Sequence, residues 1–338
     1  MHAKDTFLLP RSRLRLTALG MGCAIIGGLY RPTSESEARA GLDGAWELGL
    51  RYFDTAPYYG FTLSEHRLGA ALRERPRDEY VVSTKVGRLM KPDATVLPGE
   101  NDWAAPLPFR PMYDYSYDGV LRSHEDSLQR LGLAHIDILF VHDIGRMTHG
   151  DKHVHYWKQL TTGGGFKALD ELRRGGQVSA IGLGVNESEV VCDSMQEIDL
   201  DCTLLAGRYT LLEQASLSPL LDRCERSGNA IVIGGPFNSG VLVGNRKFNY
   251  MDAPAEIVQR VEQLEAVCRD FSVPLPAAAL QFPMAHPAVV SCIPGGRDVT
   301  QLRQNVAWFD MPIPAELWST LKSRGLIDER APVPTRAQ

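Results

Sequence analysis

The sequence predicts an α/β protein, a (β/α)8 TIM barrel with long loops at the C-terminal face of the strands. Three observations lead there. Short apolar runs rich in Val and Ile alternate along the chain with longer segments of helical period. The runs are apolar almost throughout, as strands covered on both faces are. About eight such units fit in 338 residues, the repeat a barrel needs. A doubly wound open sheet is the competing architecture. It expects a G-x-G-x-x-G turn between its first strand and a helix, and ALGMGCAIIGG has glycines without that spacing.

The first strand is expected at 18–24 (ALGMGCA) and the second at 50–54 (LRYFD). The others are expected at 80–85 (YVVSTK), 136–142 (IDILFVH), 178–184 (VSAIGLG), 202–207 (CTLLAG), 230–235 (AIVIGG) and 289–294 (VVSCIP). Gly, Pro, Asn or Asp bounds each run. A helix follows the cap-like pair Thr33-Ser34 and runs to about Leu48, with Ala38, Leu42, Ala45 and Trp46 apolar. Another spans 64–75, with Leu68, Ala71 and Leu72 on one face. Further helices are expected near 117–131, 163–174, 187–197, 215–227, 254–271, 299–308 and 314–324. Gly49, Gly175 and Gly228 stand where a left-handed cap ends a helix. Two long loops, 87–116 and 143–162, follow strand ends and are rich in aromatic residues, which suits ordered pocket walls.

The whole chain, 1–338, is expected to form one barrel domain. Hydrophobic residues make up 44% and charged residues 23%, enough for a large core. A net charge of −5 argues against nucleic acid or an anionic membrane as partner. No apolar run approaches the ~20 residues of a membrane span. The N-terminus lacks the apolar core of a signal peptide, so a cytoplasmic location is expected. None of the six cysteines forms a C-x-x-C pair; each reads as a small buried apolar residue, and no metal is expected. The oligomeric state is left open.

In a barrel the strand ends converge on one rim. Asp54 ends the second strand, Lys85 the third and His142 the fourth, with Tyr59 in the loop after Asp54. A phenol has pKa ~10, too high for a base at neutral pH. A nearby ammonium favours the phenolate, a carboxylate aims that ammonium, and an imidazole orients a substrate oxygen. Each residue alone also has an ordinary reading: a turn cap, a structural ion pair, a satisfied buried histidine, loop packing.

In order and spacing, these residues resemble the aldo-keto reductase family. "FDTAPYYG" with "SE..LG.AL" (53–72), "VVSTKVG" (81–87), "SL.RLGL..IDILFVH" (127–142) and "G.VSAIGLGVN" (176–186) carry the resemblance over most of the chain. It implies a (β/α)8 barrel that uses NAD or NADP, with Asp54, Tyr59, Lys85 and His142 as the catalytic tetrad. Tyr59, five residues after Asp54, matches the family tyrosine, and Tyr58 becomes a wall residue.

By the same resemblance Asn186 binds the nicotinamide amide, with Val185 where a serine is common. Gly235, Pro236, Phe237 and Gly240 form the pyrophosphate-side loop, and Gly234 stands where an aromatic ring often stacks on the nicotinamide. Gly295, Arg297, Gln301 and Asn305 serve the adenosine end. Gly295 and Gln301 replace a lysine and an arginine common in NADP-preferring members, so NAD and NADP both stay open.

The resemblance is nearest to a bacterial subgroup of sugar and pyridoxal dehydrogenases. It implies oxidation of the anomeric hydroxyl of an aldose such as L-fucose to the lactone. Oxidation of pyridoxal to its lactone and reduction of an aldehyde or ketone are the alternative enzyme readings. A non-catalytic nucleotide-binding regulatory barrel is the alternative of another class. Tyr58, Trp103, Tyr156 and Trp157 are the expected substrate contacts, with Phe109, Tyr113, His149 and His153 as further wall candidates. Rings mixed with polar groups suit a sugar or a flat pyridine equally.

Overall fold

Eight parallel strands wind in chain order around the molecule: β1 (Met21–Gly22), β2 (Tyr52–Asp54), β3 (Val81–Val86), β4 (Ile136–His142), β5 (Val178–Val185), β6 (Cys202–Ala206), β7 (Ala230–Gly234) and β8 (Val289–Ile293). The computed structural model describes residues 1–335; residues 336–338 of the expected 1–338 unit lie outside the described residues. The first and last strands close the ring. Leu19 bridges to Cys292 and Gly22 to Gly295, and the Gly20 amide donates to the Cys292 carbonyl at 2.9 Å. All eight lie within or overlap the expected runs.

The barrel interior is packed. Tyr52, Ile138, Phe140, Leu204 and Val232 meet there, joined by Leu9 and Leu16. Leu16 lies in, and Leu9 directly follows, the strands of an N-terminal hairpin, Thr6–Leu8 with Arg15–Thr17, which plugs the amino end of the barrel. Its strands are too short to carry a period in the sequence. Each fully buried side chain of this size contributes about 1.5–3 kcal/mol. The plug leaves the carboxyl end as the open face.

Helices cover the outside. Glu35–Glu47 starts at Ser34, whose hydroxyl accepts from the Glu37 amide at 3.2 Å while Glu37 accepts from the Ser34 amide at 2.7 Å. That reciprocal cap is the one the Thr33-Ser34 signal implied. Leu63–Leu72, Tyr117–Leu131, Gly165–Arg174, Glu189–Glu197, Leu220–Ser227, Ala255–Asp270, Val299–Asp310 and Ala315–Ser323 follow the expected segments. Leu275–Gln281 was missed in the sequence, because it is buried on nearly every side and shows no polar face. Gly49 and Gly228 are left-handed, with φ of 85° and 75°. Gly175 is not, at −75°; Gly176 makes the reversal one residue later, at 71°.

Both long loops are built. Within 87–116, Arg88–Pro92 pairs antiparallel with Phe109–Tyr113, setting Arg88 opposite Tyr113. A small satellite core of Phe61, Met90 and Trp103 holds this hairpin over the rim. Within 143–162 lie the helices Arg146–His149 and His153–Leu160. Five of the cysteines are buried, Cys192 is half-buried, and all are free thiols. Among the described residues no helix is long and apolar enough to cross a membrane.

Candidate active site

The carboxyl ends of β2, β3 and β4 bring Asp54, Lys85 and His142 together, and the loop after β2 adds Tyr59. Lys85 is 2% exposed; its Nζ donates to Asp54 Oδ2 at 2.7 Å and to the Thr55 carbonyl at 2.8 Å. The other Asp54 oxygen accepts from Ser83 Oγ at 2.7 Å, and Tyr52 bonds to Ser83 at 3.1 Å. Burial pushes the Asp54 carboxyl up, while Lys85 and Ser83 pull it back down. A buried pair survives in this way only when its remaining lone pairs and protons are satisfied.

Lys85 Nζ lies 4.6 Å from the centroid of the Tyr59 ring, over its face. The expectation that this ammonium lowers the phenol needs correction for this structure. Burial pushes Tyr59 well above its ordinary value, the carboxylates of Asp54 and Asp143 push the same way, and Arg88 pulls it down. The physical reason is that loss of water at the phenol and the two carboxylates outweigh the cations beside it. His142 sits with its ring centroid 6.0 Å from that of Tyr59. Burial, Arg88 and Lys85 hold its imidazole well below the usual range, so it stays neutral. Tyr115, fully buried, steadies this strand end by donating from its hydroxyl to the His142 carbonyl at 2.8 Å.

A second ion pair, buried at its arginine and half-buried at its aspartate, stands beside the first, and the sequence reading missed it. Arg88 NH2 donates to Asp143 Oδ2 at 2.5 Å. Gly87 makes this possible: at φ 100° it reverses the chain between Lys85 and Arg88, and a Cβ there would collide with the Tyr115 ring. Asp143 also lies 3.4 Å from His142 Nε2 and accepts from Asn186 Nδ2 at 3.4 Å. The available signal was a charged residue directly beyond each of two site-bearing strands, in VGR and VHD.

The walls are aromatic. Tyr58 packs edge-on against Trp103 at 5.7 Å and against His142 at 6.3 Å. Tyr113, His149 and Tyr156 form a second cluster, with His149 and Tyr156 centroids 4.3 Å apart. His149 is held to about 4 by burial, then by Arg88 and His153. Of the four expected substrate contacts, Tyr58 and Tyr156 belong to these walls. Trp103 is buried in the satellite core behind Tyr58 and Tyr59, so it backs the wall rather than facing ligand. Trp157 is turned away: it packs on Phe166 at 6.1 Å and lines an outer groove with Asp193 and Gln196. On the helix His153–Leu160 it lies about 100° around from Tyr156, so the two cannot face the same space.

The remaining strand ends carry the residues expected to hold a dinucleotide. Asn186 follows β5, and Tyr250, at the tip of the Lys247–Asp252 hairpin, donates to its Oδ1 at 3.4 Å. A side chain at Gly234 would lie 2.9 Å from Leu204 Cδ2, so no stacking ring fits there as the barrel is packed. Gly235 and Gly240 have φ of 55° and 100°; Pro236 is buried, and Phe237 packs on Trp308 at 6.4 Å. After β8, Gly295 is exposed and Gly296 buried. Asn305 donates back to the Gly295 carbonyl at 3.2 Å, and Gln301 Oε1 accepts from the Arg297 amide at 3.1 Å. Both therefore brace the glycine turn through those atoms. Arg297 has a buried Nε with no partner, and Arg31 lies near enough to depress it further after burial. Two guanidinium groups, one unsatisfied, beside an exposed glycine backbone fit a phosphate-bearing cofactor. Asp298 already caps the following helix, so the helix terminus adds little to that attraction.

The model of the aldo/keto reductase family matches residues 18–324. Pyridoxal 4-dehydrogenase of Microbacterium luteolum is 50% identical over 340 residues, covering 97% of this chain and 99% of the relative. D-threo-aldose 1-dehydrogenase of a Pseudomonas species is 41% identical, covering 93% and 95%. Among solved structures, aldo-keto reductase AKR11C1 of Bacillus halodurans in its holo form superposes with a TM-score of 0.72 at 23% identity, covering 98% of each chain. That last likeness bears on the fold alone.

Proposed function

The chain belongs to the aldo/keto reductase family, and from that premise we propose that it oxidises the cyclic hemiacetal of pyridoxal, or of a closely similar ring, to the lactone. It is an NAD(P)-dependent oxidoreductase. The observation that carries the finer reading is the convergence of Asp54, Tyr59, Lys85 and His142 in one mouth walled by Tyr58, Tyr113 and Tyr156. Flat rings on two sides suit a flat substrate. The relative 50% identical over nearly the whole chain supports the same substrate.

Asn186 would hold the nicotinamide amide, Gly235 to Gly240 the pyrophosphate, and Gly295, Arg297, Gln301 and Asn305 the adenosine end. These residues would hold NAD(P)+, whose nicotinamide would supply the hydride acceptor for the hemiacetal carbon. Tyr59, as phenolate, takes the proton of the hemiacetal hydroxyl while the carbonyl forms. Lys85, fixed by Asp54 and Thr55, places its charge over the Tyr59 ring and stabilises the phenolate as it appears. Neutral His142 orients the hydroxyl without adding a competing cation. The aromatic mouth excludes water from the reacting carbon.

A second reading, oxidation of an aldose at its anomeric hydroxyl, draws on the relative named D-threo-aldose 1-dehydrogenase; the proton transfer would be the same. Initial rates with pyridoxal, L-fucose, L-galactose and D-arabinose, each with NAD and NADP, test both. Pyridoxal turnover at the highest kcat/KM is expected. An enzyme that oxidises aldoses and leaves pyridoxal untouched would refute the first reading.

A further inference from the structure

We propose that Arg88 determines substrate specificity, its guanidinium receiving an ionised hydroxyl on the ring atom ortho to the one that bears the carbon being oxidised. The inference rests on the pyridoxal reading and names the group by which that substrate is recognised.

Arg88 is a cation with donors to spare beside the tetrad. Its side chain is 5% exposed, and among the described residues Asp143 is its single hydrogen-bond partner. Nε is buried and unpartnered. A guanidinium presents five N–H donors in a rigid fork, so most of that fork is uncommitted. Lys85, by contrast, gives two of its protons to Asp54 and Thr55 and has no comparable surplus. Leaving a buried charged donor unpaired is costly, which makes an acceptor at this point strongly favoured.

Position narrows the acceptor. Arg88 lies over the Tyr58 ring, 4.1 Å to its centroid, and 5.5 Å from that of Tyr113. Its counter-ion Asp143 touches both His142, beside the proton-transfer tyrosine, and Asn186, on the cofactor side. A group bound by Arg88 would therefore lie near His142 and beside the Tyr58 and Tyr113 rings. A planar ring meets all three conditions when it carries an anionic oxygen on the ring atom next to the one that bears the reacting carbon. An aldose brings no anion to this point, so its hydroxyls would leave the cation less well matched.

The test compares pyridoxal with 3-deoxypyridoxal in the wild type and in Arg88→Met and Arg88→Lys. Cofactor affinity is read from quenching of protein fluorescence, and Tm is recorded for each protein. The wild type should prefer pyridoxal by about 10- to 100-fold in kcat/KM, the size of a charge-assisted hydrogen bond. Arg88→Met should bring the ratio of the two substrates close to one, while any change in cofactor Kd from stranding Asp143 beside Asn186 is common to both substrates. Arg88→Lys, which keeps charge but loses the fork, should recover part of the ratio; it also serves if the methionine variant unfolds. Equal losses on both substrates, with the wild-type ratio preserved, would overturn the role of Arg88 and leave the pyridoxal reading standing. A wild type that ignores pyridoxal but oxidises an aldose would remove that reading, and the assigned ligand with it.

Discussion

Strand β3 and the turn after it send two cations to opposite sides. Lys85 pairs with Asp54 from the preceding strand, and Arg88 pairs with Asp143 from the following one. Both pairs are short, the second less enclosed at Asp143, and they are finished differently. Around Lys85 and Asp54 the accounts close: Ser83, Thr55 and Tyr52 take up the remaining polar atoms. Around Arg88 they do not, and Nε is left over. A closed pair holds geometry, whereas an open one is ready for a ligand. The contrast separates positioning from recognition within a single active site.

The largest effect is expected from opening the closed pair. Lys85→Met strands the Asp54 carboxylate in a buried site, at a cost of about 3–5 kcal/mol. Its Tm should fall steeply and its turnover should vanish, as followed by thermal melts and initial rates. Unchanged Tm would show that the pair is less enclosed than its 2% and 3% side-chain exposures indicate.

Tyr59→Phe should sharpen the comparison, because it spares both pairs. It should lower kcat by at least about 10²–10⁴-fold while Tm and cofactor Kd stay near wild type. A Tyr59→Phe enzyme with near-normal kcat would sink the assignment. The oxidative rate should also rise with pH in the wild type. The Tyr59 phenol is raised above its ordinary value, so the phenolate fraction keeps growing through the alkaline range. Log kcat/KM should climb with a slope of about one, and a flat profile would show that another group takes the proton.

A smaller effect belongs to stability on the Arg88 side. His149 is lowered from 6.5 to about 4, first by burial and then by Arg88. The unfolded chain therefore binds this proton before the folded one as pH falls. The stabilisation is whole above pH 6.5 and is lost toward about 4, at most about 3 kcal/mol. His149→Gln should flatten that slope in pH-dependent melts. Smallest of all, Trp157→Ala should leave kcat/KM within about twofold, since the ring lies outside both pairs. A large rise in KM would instead return Trp157 to the substrate wall.

Much of the barrel was legible because its strands are apolar runs of ordinary length. The rim residues were legible for a related reason: Asp54, Lys85 and His142 interrupt those runs at their ends. Residues just beyond the strands were not. Arg88 and Asp143 read as loop charge, since a sequence shows no partner for either, and the left-handed turn at Gly87 that joins them is a tertiary fit against Tyr115. Trp157 was misplaced because an aromatic in an unbuilt loop has no direction until the loop becomes a helix. The Arg88 hairpin likewise depends on Phe61, Met90 and Trp103, which meet only in the folded chain.

By itself the sequence determined the eight-unit alternation, the identity of the strand-end groups and the capping box at Ser34. These follow from local period and from which side chain stands at which step of the chain. Tertiary structure alone decided that Lys85 pairs with Asp54 while Arg88 keeps unpaired donors, that burial raises Tyr59, and that Trp157 faces outward. Those outcomes depend on which groups meet across the barrel and how much water reaches them, and distance and desolvation are properties of the fold.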